Sequence, residues 1–268
     1  MANRSIVILT GAGISQESGL DTFRCEGGIW AQVDLEDVAT PEGFARNPDL
    51  VHQFYNDRRA GLLHPDIQPN AAHLALASLA NTWPHGDVHI VTQNIDDLHT
   101  RAGSQNVMHM HGELRKAWCL ACNEKMPWDD ALSVTTPCPK CKTTGCMRPD
   151  IVWFGEIPYG MDHIMPLLSE CALFISIGTS GNVYPAAGFV MHVRDYGHGQ
   201  TLELNLDPSQ GASLFDYALY GRATQNVPNF VRALCDAAIH FENADPAAEA
   251  LALAQIVKNI NTHEGTDV

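Results

Sequence analysis

Five short runs crowded with Val, Ile and Leu, at 6–9, 88–92, 151–154, 173–177 and 202–206, set the strongest limit on how this chain folds. Runs of this length, apolar along most of their course, read as strands covered on both faces. Between them, helical patterns occupy 71–79, 161–169, 186–194 and 227–238. Strands alternating with helices imply α/β architecture: a Rossmann-like, doubly wound parallel sheet with helices on both sides.

Two stretches break the alternation. Residues 30–70 carry Pro41, Pro48, Pro65 and Pro69 and read as short helices joined by loops. Residues 116–148 are cysteine-rich, with Pro127, Pro137 and Pro139 and little periodicity. We therefore expect 1–29, 71–115 and 149–242 to build the large Rossmann-like domain. The helical insertion 30–70 and the cysteine-rich insertion 116–148 would pack together as a smaller lobe. Residues 243–268 would form a C-terminal tail with a helix over 246–260.

Composition narrows the function. At 268 residues, 45% hydrophobic and 18% charged, the chain has the make-up of an ordinary globule. No apolar run approaches the ~20 residues of a membrane helix. The N-terminal apolar run enters a glycine turn instead of a cleavage site. We expect a cytoplasmic monomer without a membrane partner. The formal charge of −15 argues against nucleic acid as a partner and favours a basic one, such as a lysine-bearing protein.

The first strand runs into Thr10-Gly11-Ala12-Gly13-Ile14-Ser15. Glycines at this point let backbone N–H groups approach a phosphate, and a following helix N-terminus would add favourable charge. The dehydrogenase fingerprint is incomplete: Gln16 takes the place of its third glycine, and no acidic residue ends a second strand about 20 residues later. Hydride transfer is therefore disfavoured.

Cys119-Leu-Ala-Cys122 and Cys138-Pro-Lys-Cys141 are two CxxC knuckles. Each offers two thiolates on one tight turn, and four thiolates make a closed tetrahedral zinc site with no position for a water nucleophile. One structural Zn²⁺ is expected on Cys119, Cys122, Cys138 and Cys141, with Cys146 the alternative to Cys141. Cys171 and Cys235 sit in apolar surroundings and read as core residues.

Polar groups gather where strands end. Gln93-Asn94-Ile95-Asp96-Asp97 follows 88–92, Gly178-Thr179-Ser180 follows 173–177, and Asn205-Leu206-Asp207 closes 202–206. Carboxyl ends of parallel strands are where open α/β sheets bind ligands, so one shared crevice is implied. In Val107-Met108-His109-Met110-His111-Gly112, alternation puts His109 and His111 on one side of an extended segment, and a neutral imidazole there can take a proton from a hydroxyl.

Together these residues resemble the sirtuin family. The stretches are GAGISQESGLDTFR (11–24), TQNIDDLH (92–99), HGEL (111–114), the paired CxxC, RPDIVWFGE (148–156), GTS (178–180) and NLDP (205–208). The resemblance implies an NAD-dependent protein-lysine deacylase that consumes NAD as cosubstrate and acts on acyl-lysine proteins. The acyl oxygen would attack the ribose carbon as nicotinamide leaves, giving free lysine and O-acyl-ADP-ribose. It implies that Gly11, Ala12 and Gly13 meet the phosphates, with Arg24 nearby, and that Ile14 and Trp30 also bind the cofactor. Asp21, Phe23, Gln93, Asn94, Ile95 and Asp96 would surround nicotinamide and its ribose. Gly178, Thr179, Ser180, Asn205, Leu206, Asp207 and Ala223 would line the adenosine side. His111, with Asn94, would be catalytic, and Val152 and Phe154 would flank the acyl-lysine channel.

Ala39-Thr40-Pro41 followed by Phe54-Tyr55-Asn56-Asp57-Arg58 is similar to bacterial and mitochondrial class III members that remove acidic acyl groups. Tyr55 and Arg58 are i,i+3 partners on a helix, and a guanidinium there could pair with a succinyl or malonyl carboxylate. Ala39 would leave room for the longer acyl chain. Two features depart from the family pattern: Glu26 after Cys25, and extra residues between Cys141 and Arg148. The competing readings are mono-ADP-ribosyl transfer in the same cleft, and a non-catalytic NAD-sensing or zinc-ribbon binding module.

Overall fold

The computed structural model describes residues 4–20, 34–238 and 246–263. Six parallel strands form the main sheet, in the order β3-β2-β1-β7-β8-β9. They are β1 (Ile6–Thr10), β2 (Val88–Thr92), β3 (Val107–His109), β7 (Leu173–Ile177), β8 (Gln200–Asn205) and β9 (Tyr217–Tyr220). The dense apolar runs are explained by two-sided burial. Ile6 and Ile8 of β1 face one core, and Val7 and Leu9 face the other.

The first core is closed by α4 (Ala71–Thr82), α8 (Ala223–Ala238) and α9 (Pro246–His263), through residues such as Leu76, Phe230 and Ile256. The second is closed by α6 (Met161–Glu170) and α7 (Phe189–Tyr196), through Leu168 and Phe189. The tail helix expected over 246–260 thus belongs to the main core. Cys171 is buried in the second core, and Cys235 packs half-buried against the first.

The insertion at 30–70 is helical where described: α1 (Leu35–Val38), α2 (Pro41–Arg46) and α3 (Pro48–Leu62). Pro41 and Pro48 open α2 and α3, where a missing N–H costs no helical bond, and Thr40 and Asn47 cap them by accepting from Gly43 N and Leu50 N. The small sheet is antiparallel, in the order β5-β4-β6, from β4 (Gly112–Cys119), β5 (Lys125–Pro127) and β6 (Met147–Ile151).

Three expectations need correction. The strand expected at 151–154 is instead β6, which ends at Ile151 and pairs antiparallel with β4; 152–154 leave it as a loop. The apolar residues there serve a cleft wall and the small lobe's core, which hydrophobicity alone does not separate from a sheet interior. No α-helix follows the glycine turn within the described residues. Two 3-10 turns, Ala12–Ile14 and Gln16–Ser18, take its place. Finally, β3 stops at His109 and Met110–His111 form a turn, so the two histidines do not share one strand face.

Candidate active site

Register places the site. Thr10 pairs with Thr92 and Ile177, and Ile177 pairs with Leu204, so these four strands end within one residue of one another. The next residues, Gly11, Gln93, Gly178 and Asn205, therefore stand along one edge. They line a cleft of about 990 Å³, a volume typical of ligand sites.

Two of its turns are locked together. Gly178 has φ +63, and a Cβ there would meet Ile14 N at 2.5 Å; one on Gly13 would meet Gly178 Cα at 2.7 Å. Only glycine permits this approach, which brings the β1 turn against the β7 turn. Asn70, the cap of α4, donates to Ile14 O at 2.8 Å and holds the same turn from below.

Beside it lies a buried polar hub. Ser15 Oγ donates to Asp96 Oδ2 at 2.9 Å, and Asn94 Nδ2 donates to Ser15 Oγ at 3.2 Å and Gly11 O at 3.0 Å. His73 Nε2 lies 3.4 Å from Ser15 Oγ, and His99 Nε2 lies 2.9 Å from Thr10 Oγ1. Burial raises Asp96 to about 6, opposed by its bonds from Leu98 and Ser15, and lowers His73 to about 4. At pH 7 His73 is therefore neutral, while Asp96 remains mostly a carboxylate, held in the interior by its hydrogen bonds.

His111 lines the cleft, with Nδ1 3.1 Å from the carbonyl oxygen of Gln93. A carbonyl only accepts, so Nδ1 carries the hydrogen and Nε2 keeps its lone pair. Burial holds the imidazole below its ordinary pKa, partly offset by the Gln93 bond. The site therefore has a neutral base available at pH 7.

On the far side the cleft turns apolar. Tyr55, 2% exposed, accepts from Trp153 Nε1 at 3.0 Å, and burial raises the phenol's pKa. Val152 N donates to His111 O and Phe154 N donates to Ala39 O, both at 2.9 Å, so the 152–154 loop joins the imidazole's backbone to the helical lobe. Arg148, over the Trp153 ring at 3.4 Å, pairs with Glu156 at 2.7 Å and stiffens that loop.

Of the residues expected at the site, Gly11, Ala12, Gly13, Gln93, Asn94, Ile95, His111, Gly178, Thr179, Ser180, Asn205, Leu206, Asp207 and Ala223 line the cleft. So do Tyr55, Ala39, Val152 and Phe154. Ile14 and Asp96 do not: both are buried, Ile14 in the main core and Asp96 in the polar hub beneath the cleft. Arg58 is not among the lining residues either. Its guanidinium lies 3.5 Å over the Phe54 ring, where its charge still acts on the Tyr55 phenol. His109 is half-buried away from the cleft. Asp21, Phe23, Arg24 and Trp30 lie outside the described residues.

Sequence reasoning passed over Ser15, His73, Glu17 and Asn226. Glu17 accepts from Thr224 N at 3.0 Å and Thr224 Oγ1 at 2.8 Å, tying the glycine turn to α8. The only signal for His73 was its place three residues after Asn70, where the pair forms a capping box.

The sulfurs of Cys119, Cys122, Cys138 and Cys141 lie within 4.8 Å of one another. Cys119–Cys141 and Cys122–Cys138 are 3.7 and 3.8 Å apart, against about 3.8 Å for sulfurs at tetrahedral corners 2.3 Å from zinc. The donor set fits a closed, architectural zinc site. Cys146 Sγ, 3.5 Å from Cys119 Sγ, donates to Thr143 O and stands outside that set of four.

The sequence pattern of the Sir2 family matches residues 11–185. The chain is 53% identical over 228 residues to an NAD-dependent protein deacylase of Bdellovibrio bacteriovorus, covering 85% of this chain and 95% of that protein. It is 55% identical over 227 residues to one of Pasteurella multocida, covering 84% and 96%. Among solved structures, a Sir2 homolog–NAD complex superposes with TM-score 0.78 at 36% identity, over 87% of this chain and 90% of that one. Sir2 bound to acetylated peptide superposes at 0.71 and 29%, over 87% and 92%. Sequence and fold agree: this chain belongs to the Sir2 family of sirtuins.

Proposed function

We propose that the chain is an NAD-dependent protein-lysine deacylase, and that acidic acyl groups, succinyl or malonyl, are among its substrates. The observation that carries the activity is the neutral His111 imidazole between the phosphate-sized glycine turn and an apolar channel. With Nδ1 held by Gln93, His111 Nε2 takes the proton from a ribose hydroxyl of bound NAD. Asn94 is fixed by Gly11 and Ser15 so that it can orient the ribose end of the cosubstrate. Val152, Trp153 and Phe154 form an apolar wall that excludes water from the acyl-lysine stem.

The acidic preference rests on α3. Tyr55 lines the channel, and Arg58, one helical turn on, is near enough to act on its phenol. A rotamer that swings Arg58 off Phe54 would bring its guanidinium to a carboxylate at the channel's end. The deacylase names of the relatives favour this reading over mono-ADP-ribosyl transfer. A cytoplasmic, monomeric enzyme is part of the same proposal.

The test compares kcat/KM on succinyl-, malonyl- and acetyl-lysine peptides, with and without NAD. Turnover needs the dinucleotide, and Arg58→Met lowers the succinyl-to-acetyl ratio about tenfold or more, as expected for a charge-assisted pair. An unchanged ratio would rule out the acid-selective pocket; turnover without NAD would rule out the activity.

A further inference from the structure

Among the described residues, Asn226 is the one buried asparagine of the cleft lining whose carboxamide has no hydrogen-bond partner. It is 2% exposed, and neither Oδ1 nor Nδ2 meets a hydrogen-bonding atom among the described residues. It sits on α8, beside Ala223 and Arg222, where the helix meets β8 and the glycine turn, and it lines the cleft. Its neighbour Val227 and the next inward residue, Phe230, are buried in the main core. An amide at such a position is costly unless something completes its hydrogen bonds, so its presence points to a ligand.

Topology says which part of a ligand reaches it. Strand order puts β2, with Gln93 and Asn94, on one side of the glycine turn, and β7, β8 and β9 on the other. A dinucleotide with its pyrophosphate at the turn and its reacting ribose beside His111 must extend its second nucleoside over β8. There Asn205, Gly221 and Asn226 line the wall. On that nucleoside the ribose hydroxyls rotate to donate or accept, whereas the base holds a donor and an acceptor side by side in a fixed plane. A carboxamide matches the N6 amino and N7 of adenine, Oδ1 accepting and Nδ2 donating.

We infer that Asn226 reads the adenine of the cosubstrate through N6 and N7 and makes the cleft selective for it over other purines. This rests on the NAD-dependent reading above. A hypoxanthine base presents two acceptors at the same edge, O6 and N7, and leaves Oδ1 unpaired.

The experiment is titration calorimetry of ADP-ribose and its hypoxanthine counterpart against the full chain and Asn226→Val, with a thermal melt of each ligand-free protein. We expect the wild-type chain to bind ADP-ribose about tenfold to a hundredfold tighter than the hypoxanthine form. In Asn226→Val that ratio falls to within about threefold of one, while the ligand-free variant melts at or above the wild-type temperature because an unpaired amide has gone. A ratio unchanged by the substitution overturns the inference. So does a marked fall in the ligand-free melting temperature, which would mean that the amide serves the fold. Failure of ADP-ribose to bind the wild-type chain would strike the NAD-dependent reading itself, a result distinct from either.

Discussion

The imidazole Nδ1 of His111 lies 3.1 Å from the carbonyl oxygen of Gln93, and that contact decides which nitrogen faces the cleft with a free lone pair. The residue after β2 supplies the acceptor, and the turn after β3 supplies the imidazole. The base is therefore oriented by backbone instead of by a carboxylate.

His111→Ala should lower kcat about a hundredfold to ten-thousandfold, the usual worth of a positioned base, while ADP-ribose still binds. Because burial depresses this histidine, the acid limb of kcat/KM should fall below pH 6.5. A limb centred well above that value in the wild-type enzyme, or one that persists in His111→Ala, would assign the titration to another group.

Asp96 should make the fold less stable as pH rises. Its folded value of about 6 is above the ordinary 3.8, so the native state holds the proton more tightly. The stabilisation is complete below pH 3.8 and is lost as pH rises through about 6, a difference on the order of 3 kcal/mol. His73, at about 4, acts in the opposite sense: its contribution is present above 6.5 and is lost as pH falls towards 4. Asp96→Asn keeps an acceptor for Leu98 N and removes the buried carboxylate. Chemical denaturation at pH 7.5 should show it as stable as the wild type or more so, with its stability declining more steeply on acidification because His73 is then unopposed.

Arg59 should be the costliest single residue of α3 to remove. It is 1% exposed, and its guanidinium donates to Leu114 O at 2.9 Å, Asn56 Oδ1 at 3.0 Å and Asp130 O at 3.2 Å. Arg59→Ala takes its donors from Leu114 O and Asp130 O and leaves a cavity, so a loss of about 3 kcal/mol or more is expected in urea denaturation. Arg59→Lys should recover little, since one ammonium cannot serve the same fork.

Zinc removal should be felt beyond the cysteines. Asn56 of α3 donates to Leu132 O and accepts from Leu132 N, both at 2.8 Å, so the helical lobe is stapled to the metal-bearing lobe. Chelation should speed hydrogen exchange in β4–β6 and in α3, with β1, β2 and β7 unchanged. Faster exchange confined to 119–146 would show that the staple transmits nothing.

Much of this was legible in the residues. Four of the five apolar runs, with the helical patterns between them, named the doubly wound sheet, because burial on both faces leaves a mark within each strand; the fifth, 151–154, belongs to the small lobe. The knuckles at Cys119–Cys122 and Cys138–Cys141 and the turn at Gly11–Gly13 were legible for the same reason: their chemistry is local. Strand β9 was not, being short and mostly half-buried, and β3 showed only as an extended segment read too long, through Gly112.

What tertiary structure alone decided is how groups distant in the chain share space. Asp96 and Ile14 occupy motif positions like those of their neighbours Asn94 and Gly13, yet they turn into the interior while those line the cleft. Val152 and Phe154 leave the sheet because β6 pairs with β4 and ends. Asn226 reads in sequence as one more polar residue ahead of a helix. The physical reason is range: periodicity and ligand spacing act over a few residues, whereas strand register and helix docking set which side chain keeps its solvent, finds a partner or is buried without one.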